Sequence, residues 1–215
     1  MEPGPVLSIG TMRADGVSRE YVLARLAAAP ATEICRGDHD LNPGLLPEGP
    51  LTRAAVLVPL VDRPQGLTIL LTRRTDHLHA HAGQISFPGG RCEPGDCDVV
   101  ATALREAEEE IGLPPDFVTP IGRLDVYVTR TGFEVSPVIG LVAPPPAFVP
   151  DPHEVAEVFE VPLDFILDPT SRQRHRRVYA GATRDFYVFP WRGYYIWGAT
   201  AGMLVNLADR LRDTA

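Results

Sequence analysis

Three carboxylates, Glu106, Glu109 and Glu110, are related by steps of three and four residues. On a helix at ~100° per residue they share one face. Arg105 lies one turn before Glu109 and flanks that face. Asp98 is placed to cap such a helix, Gly112 to end it, and Pro114 follows. Val100, Leu104, Ala107 and Ile111, spaced 4, 3 and 4, form an apolar face turned well away from the acids. Carboxylates crowded in this way repel, and two of them stand near the helix C-terminus, where the macrodipole disfavours negative charge. One reading is a solvated acidic face. The other is a set of oxygen ligands for a hard divalent cation such as Mg²⁺ or Mn²⁺. Gly89 and Gly90 precede the helix, so backbone carbonyls can approach a cation there. That context favours a metal site serving phosphate chemistry.

The elements that must hold this helix are legible around it. Residues 1–50 read as an N-terminal arm, with a short helix over Glu20–Ala29 stopped by Pro30 and a Pro/Gly-rich linker over Asn42–Pro50. Residues 51–215 read as one compact domain. Strands are expected over Ala54–Val61, Leu67–Thr72, Gly83–Phe87, Leu124–Val128, Phe133–Val142 and Val155–Val161. A short helix is expected over Leu163–Leu167, a hairpin over Val178–Ala180 and Phe186–Phe189, and a last helix over Trp197–Arg212. Intermingled strands and helices imply an α/β fold with a mixed sheet covered by helices.

Composition narrows the function. The chain has 215 residues, 45% hydrophobic and 22% charged, enough for a core without disulfide staples. The net charge of −8 argues against a general nucleic-acid or membrane surface. It leaves room for an anionic small substrate, since a bound metal inverts the local sign. All 20 basic residues are Arg. The longest apolar run, Ala54–Val61, is too short to span a bilayer and contains Pro59. The start, MEPGPVLSIG, lacks the basic and apolar stretches of a signal peptide. Cys35, Cys92 and Cys97 are odd in number and read as free thiols of a reducing cytoplasm.

The segment Gly89–Leu113 resembles the Nudix box, G-x5-E-x7-R-E-U-x-E-E-x-G-U. Gly90, Arg105, Glu106, Ala107, Glu109, Glu110, Gly112 and Leu113 carry the match. Asp96 stands where the first Glu belongs, with eight residues rather than seven between it and Arg105. The resemblance implies a Nudix α/β/α sandwich. It implies metal binding by Glu106, Glu109 and Glu110, with the Gly90 carbonyl as a further ligand and Arg105 orienting the carboxylates.

Upstream, Leu70–Gly90 (LLTRRTDHLHAHAGQISFPGG) is similar to a second signature, that of coenzyme A diphosphatases within the superfamily. Leu70, Leu71, Thr72, Arg74, Gly83, Phe87, Pro88, Gly89 and Gly90 match, while Thr75 and His79 depart, the latter replacing an Arg. The C-terminal YYIWGATAGML adds to the likeness. The activity implied is hydrolysis of the diphosphate of coenzyme A to 4′-phosphopantetheine and adenosine 3′,5′-bisphosphate, with Mg²⁺ or Mn²⁺. ADP-ribose or a nucleotide-sugar is the alternative substrate, and a non-catalytic nucleotide-sensing module the alternative role. Arg74, His79, His81, Phe87 and Arg91 are the substrate-binding candidates, with Arg73 weaker. His77, His79 and His81 alternate but lack an evident fourth zinc ligand. Glu154 or Glu157 would act as general base or extra ligand. Trp191, Tyr194, Tyr195 and Trp197 either stack on adenine or pack the core. No nucleic-acid or membrane partner is expected, and a homodimer is compatible with the sequence.

Overall fold

The apolar run at Ala54–Val61 sits in the middle of the molecule, buried on both sides. The computed structural model describes residues 17–28, 34–76, 82–143, 147–179 and 181–212. His77, His79 and His81 lie outside the described residues.

In chain order the first half comprises α1 (Arg19–Ala28), β1 (Arg36–Gly37), β2 (Thr52–Arg63), β3 (Gly66–Arg74), β4 (Ile85–Ser86), β5 (Gly89–Arg91) and α2 (Val99–Ile111). There follow β6 (Val118–Arg123), β7 (Tyr127–Val128), β8 (Phe133–Val142), β9 (Val155–Pro162) and α3 (Leu163–Leu167). The chain then forms β10 (Gln173–Tyr179), β11 (Ala182–Trp191), β12 (Tyr194–Trp197) and α4 (Ala199–Leu211). Among the described residues, nine strands make a mixed sheet with the path β1-β7-β8-β2-β3-β4. In it β2 runs parallel to β8 and antiparallel to β3 and β5. The other three, β10, β11 and β12, form a separate antiparallel sheet.

The pleat sends alternate side chains of one strand into two cores. From β2, Ala54, Val58 and Leu60 enter one core and Ala55, Leu57 and Val61 the other. From β8, Ile139 and Leu141 face the first, Val138 and Val142 the second. Helix α2 covers the second core with Ala103, Ala107 and Ile111. Helices α3 and α4 cover the first with Leu163, Ile166, Leu204 and Leu207. This is an α/β/α sandwich. Because both faces are covered, β2 reads as a continuous apolar run rather than an alternating one.

Several elements differ in extent from expectation. Strand β6 and the short strands β1, β5 and β12 lie where the sequence shows none. Strand β6 contains Pro120 and Gly122, and β5 is Gly-Gly-Arg, so neither carries a β-forming pattern. The strand expected over Leu124–Val128 shrinks to β7, and that over Gly83–Phe87 to β4. The hairpin of β10 and β11 is longer than expected, and the last helix starts two residues late because Tyr194–Trp197 is strand. The N-terminal arm is stitched to the domain: Val17, Val22 and Leu26 join the first core, and Arg36 and Gly37 pair with Tyr127 and Val128.

Candidate active site

Helix α2 is fixed at both ends. The Asp98 carboxylate accepts from the Ala101 N–H at 2.8 Å. Gly112 turns left-handed at φ 62°, and its N–H reaches the carbonyls of Ala107 and Glu108. With Ala107 and Ile111 pinned in the core, Glu106 and Glu110 are turned toward β5. Backbone comes very close there. A Cβ on Gly90 would stand 2.4 Å from Glu106 Oε1, so no other residue type fits without moving that carboxylate. The Gly89 N–H donates to Glu110 Oε2 at 3.2 Å.

The three acids are not equivalent. Glu110 is only 5% exposed, although its helical phase suggests an outward face. Burial pushes its carboxyl up to about 7, against the opposing pull of the Gly89 N–H and Arg74, and Glu154 and Glu106 push it further. Glu106 is also raised, by burial first, with Arg105 lowering it and Glu109 and Glu154 raising it. The Glu109 side chain is 59% exposed and held by Arg105 Nη1 at 2.9 Å. Glu109 does not border the cavity described below, unlike its two expected partners.

Arg105 meets Asp96 in a two-pronged pair, Nε to Oδ1 at 3.1 Å and Nη2 to Oδ2 at 3.2 Å. It also reaches Glu106 Oε1 at 3.1 Å and the Arg91 carbonyl at 3.1 Å. Asp96 further accepts from Thr102 Oγ1 at 2.8 Å and from the Glu93 N–H at 2.9 Å. The Arg105 hydrogen bonds, then those of Glu93 and Thr102, hold the Asp96 carboxyl well below the usual carboxylate range. Asp96 thus ties the loop after β5 to α2.

A cavity of about 850 Å³ opens beside this helix, bordered in part by Arg74, Gly90, Arg91, Glu106, Glu110 and Glu154. Arg74 stands 3.5 Å from Glu110 and 3.5 Å from Glu154. The Glu154 side chain is 49% exposed. Arg91 lies over the Phe133 ring, 5.5 Å from its centroid. Phe87 borders the cavity but is 2% exposed, a core residue under the site rather than an open contact surface. Glu157 lies away from the cavity lining: Arg73 Nε holds it at 3.3 Å and the Tyr194 hydroxyl donates to it at 2.5 Å. A bulge in β9 opposite Arg73 and Arg74 sets this difference, because Arg73 pairs with Glu157 and Arg74 with Val155.

Another part of the cavity lining comes from β10 to β12 and was not anticipated. Arg177, Arg184, Phe186 and Trp197 line it. The run Arg172–Arg177 (RQRHRR) is the signal in the sequence. Of the four aromatics considered, Trp191 and Tyr194 pack inward, against Phe165 and Phe159. Tyr195 bonds His175 at 2.8 Å, and Trp197 alone of the four faces the cavity.

Among the described residues, no three His, Cys, Asp or Glu side chains form a ready metal cage. Among the carboxylates that border the cavity, Glu106, Glu110 and Glu154 offer hard oxygens near one another; Glu154 raises the proton affinity of both Glu106 and Glu110, and Glu106 that of Glu110. A divalent cation fits that donor set, because three carboxylates share the space with one arginine, Arg74, beside Glu110 and Glu154. Cys35, Cys92 and Cys97 are free, and no described helix is long and apolar enough to cross a membrane.

The family model for the NUDIX domain matches residues 51–182. The chain is 39% identical over 188 residues to a protein of Pectobacterium atrosepticum named uncharacterized Nudix hydrolase NudL, covering 84% of this chain and 93% of that one. It is 41% identical over 162 residues to a protein of the same name from Yersinia pestis, covering 74% and 79%. A crystal structure of a Nudix hydrolase from M. smegmatis, RenU, aligns with 57% of this chain and 81% of its own at 25% identity, TM-score 0.44. With its box folded as a capped helix against a Gly-Gly strand, the chain belongs to the Nudix hydrolase family and is a hydrolase of the diphosphatase type.

Proposed function

We propose that this protein hydrolyses the diphosphate bond of coenzyme A or an acyl-CoA, with Mg²⁺ or Mn²⁺, to 4′-phosphopantetheine and adenosine 3′,5′-bisphosphate. One observation carries the reading: the coenzyme A-type segment and the box meet in one cavity. Arg74, from the first, bridges Glu110 and Glu154 beside Gly90 and Glu106, from the second.

Glu106, Glu110 and Glu154 would hold the cation, with the Gly90 carbonyl beside them. When bound, the cation supplies charge for the diphosphate oxygens and acidifies water. The remaining work is done by the chain. Arg105 fixes the Glu106 carboxylate from the side away from substrate. Gly90 leaves the space that carboxylate occupies. Arg74 presents a planar fork to a phosphate oxygen while holding Glu154. Glu154, the more open of the cavity carboxylates, accepts the proton of the attacking water at a carboxylate oxygen. Water attacks one phosphorus, the bridging P–O bond breaks, and the two phosphomonoesters leave.

A substrate panel with product identification tests this. Coenzyme A should give the highest kcat/KM, dephospho-CoA a lower one and ADP-ribose the lowest, with no turnover in excess chelator. ADP-ribose or a nucleotide-sugar as best substrate would replace this reading with its alternative.

A further inference from the structure

The part of the cavity lining that comes from β10 and β11 carries a basic pair whose side chains have no partner among the described residues. Arg177 on β10 and Arg184 on β11 are directly opposite in the antiparallel register, so their side chains share one face. Both border the cavity. Among the described residues neither side chain makes an ion pair or hydrogen bond, and Arg184 Nε is buried without a partner. Like charges facing across a strand pair are unfavourable, and an unsatisfied buried donor adds to the cost. The neighbouring acids do not relieve it. Asp185 is occupied by Arg174 and Arg176, and Asp38 accepts from the Tyr127 hydroxyl and the Arg130 N–H. On the same face Phe186 and Trp197 meet edge to face, centroids 5.6 Å apart, and also border the cavity. The hairpin is held in place, since the Asn42 side chain bonds both the N–H and the carbonyl of Asp185 at 2.9 and 2.8 Å.

We infer that Arg177 and Arg184 form a subsite for a phosphomonoester of the substrate, separate from the diphosphate position beside Arg74 and the cation-binding acids Glu106, Glu110 and Glu154. The choice of this group rests on the coenzyme A reading, in which the nucleoside carries a 3′-phosphate besides its diphosphate. Two guanidinium forks on one face match a dianionic phosphate, and the phosphate removes their mutual repulsion. Phe186 and Trp197 beside them offer an aromatic wall to the attached nucleoside.

Calorimetric titration of adenosine 3′,5′-bisphosphate and of 5′-AMP tests the subsite without turnover. The wild-type protein should prefer the bisphosphate by about 10–100-fold, the scale of charge-assisted hydrogen bonds. In R184Q and in R177Q, each checked for an unchanged melting transition, the preference should fall to a few-fold. Arg177 is exposed on its strand, so R177Q keeps the test open if R184Q fails to fold. Equal wild-type affinities, or a preference undiminished in R177Q, would overturn the subsite. Coenzyme A turnover is scored separately. Turnover with an Arg-independent preference would leave the proposed activity standing and remove the subsite. An Arg-dependent preference without turnover would do the reverse.

Discussion

Arg105 grips both carboxylate oxygens of Asp96, at 3.1 and 3.2 Å, nine residues apart across the loop that leads into α2. The same guanidinium touches Glu106 and Glu109. The loop residue therefore sets the position of the arginine, and the arginine sets the acids. Asp96→Asn removes the charge and one acceptor. We expect metal affinity or turnover to fall about 10–100-fold, the scale for residues that orient ligands, although Asp96 does not line the cavity. Metal titration should register the loss, and unchanged affinity with unchanged kcat would refute the role.

Glu154 and Glu157 separate by experiment. Glu154→Gln should lower kcat by about 100-fold or more, the scale of general-base loss. Glu157→Gln should change kcat only a few-fold, because that carboxylate is spent on Arg73 and Tyr194 outside the cavity lining. The opposite ranking in steady-state kinetics would exchange their roles.

The metal-free protein should become less stable as pH rises. An unfolded Glu titrates near ~4.3, whereas burial holds folded Glu110 at about 7. The folded state thus binds the proton more tightly. Its stabilising contribution is complete below the unfolded value and is lost as pH climbs through about 7. In chelator, Tm should fall between pH 5 and 8, and Glu110→Gln should flatten that slope. Adding Mg²⁺ should raise Tm more at pH 8 than at pH 6, because the cation takes the ionised carboxylate. A larger Mg²⁺ effect at pH 6 would contradict the assignment of Glu110.

Glu110→Gln should also reduce turnover by about 100-fold or more without unfolding the chain. The variant keeps the shape of the side chain and the Arg74 contact partner, but not the charge. Full activity in this variant, or in excess chelator, would remove Glu110 from the metal site.

The helix was legible because its signals are local: Asp98 and Gly112 mark its ends, and the apolar spacing marks its packed face. The burial of Glu110 was not, since it depends on how closely Gly89 and Gly90 let β5 approach. Likewise Glu154 and Glu157 look alike in sequence. A single bulge opposite Arg73 and Arg74, together with Tyr194 more than thirty residues later, separates their environments. The long apolar strands β2, β3 and β8 were foreseen, whereas β5, β6 and β12 owe their strand geometry to neighbours. The basic pair on β10 and β11 was missed because Arg177 and Arg184 are seven residues apart and meet only through the register of the hairpin.

Helix α1 closes over the last turn of α4. The Tyr21 hydroxyl donates to the Leu211 carbonyl at 2.6 Å, Arg25 Nε to the same oxygen at 3.2 Å, and Arg25 Nη2 to the Arg212 carbonyl. The open carbonyls at the end of one helix are thus satisfied by a segment nearly two hundred residues earlier. Helix α4 in turn presents Thr200 and Met203 to the cavity. These segments should therefore behave as one cooperative unit: in hydrogen exchange, amides of α1 and α4 should open together. Deleting residues up to 33 would loosen a wall of the cavity that lies far from the cut in sequence.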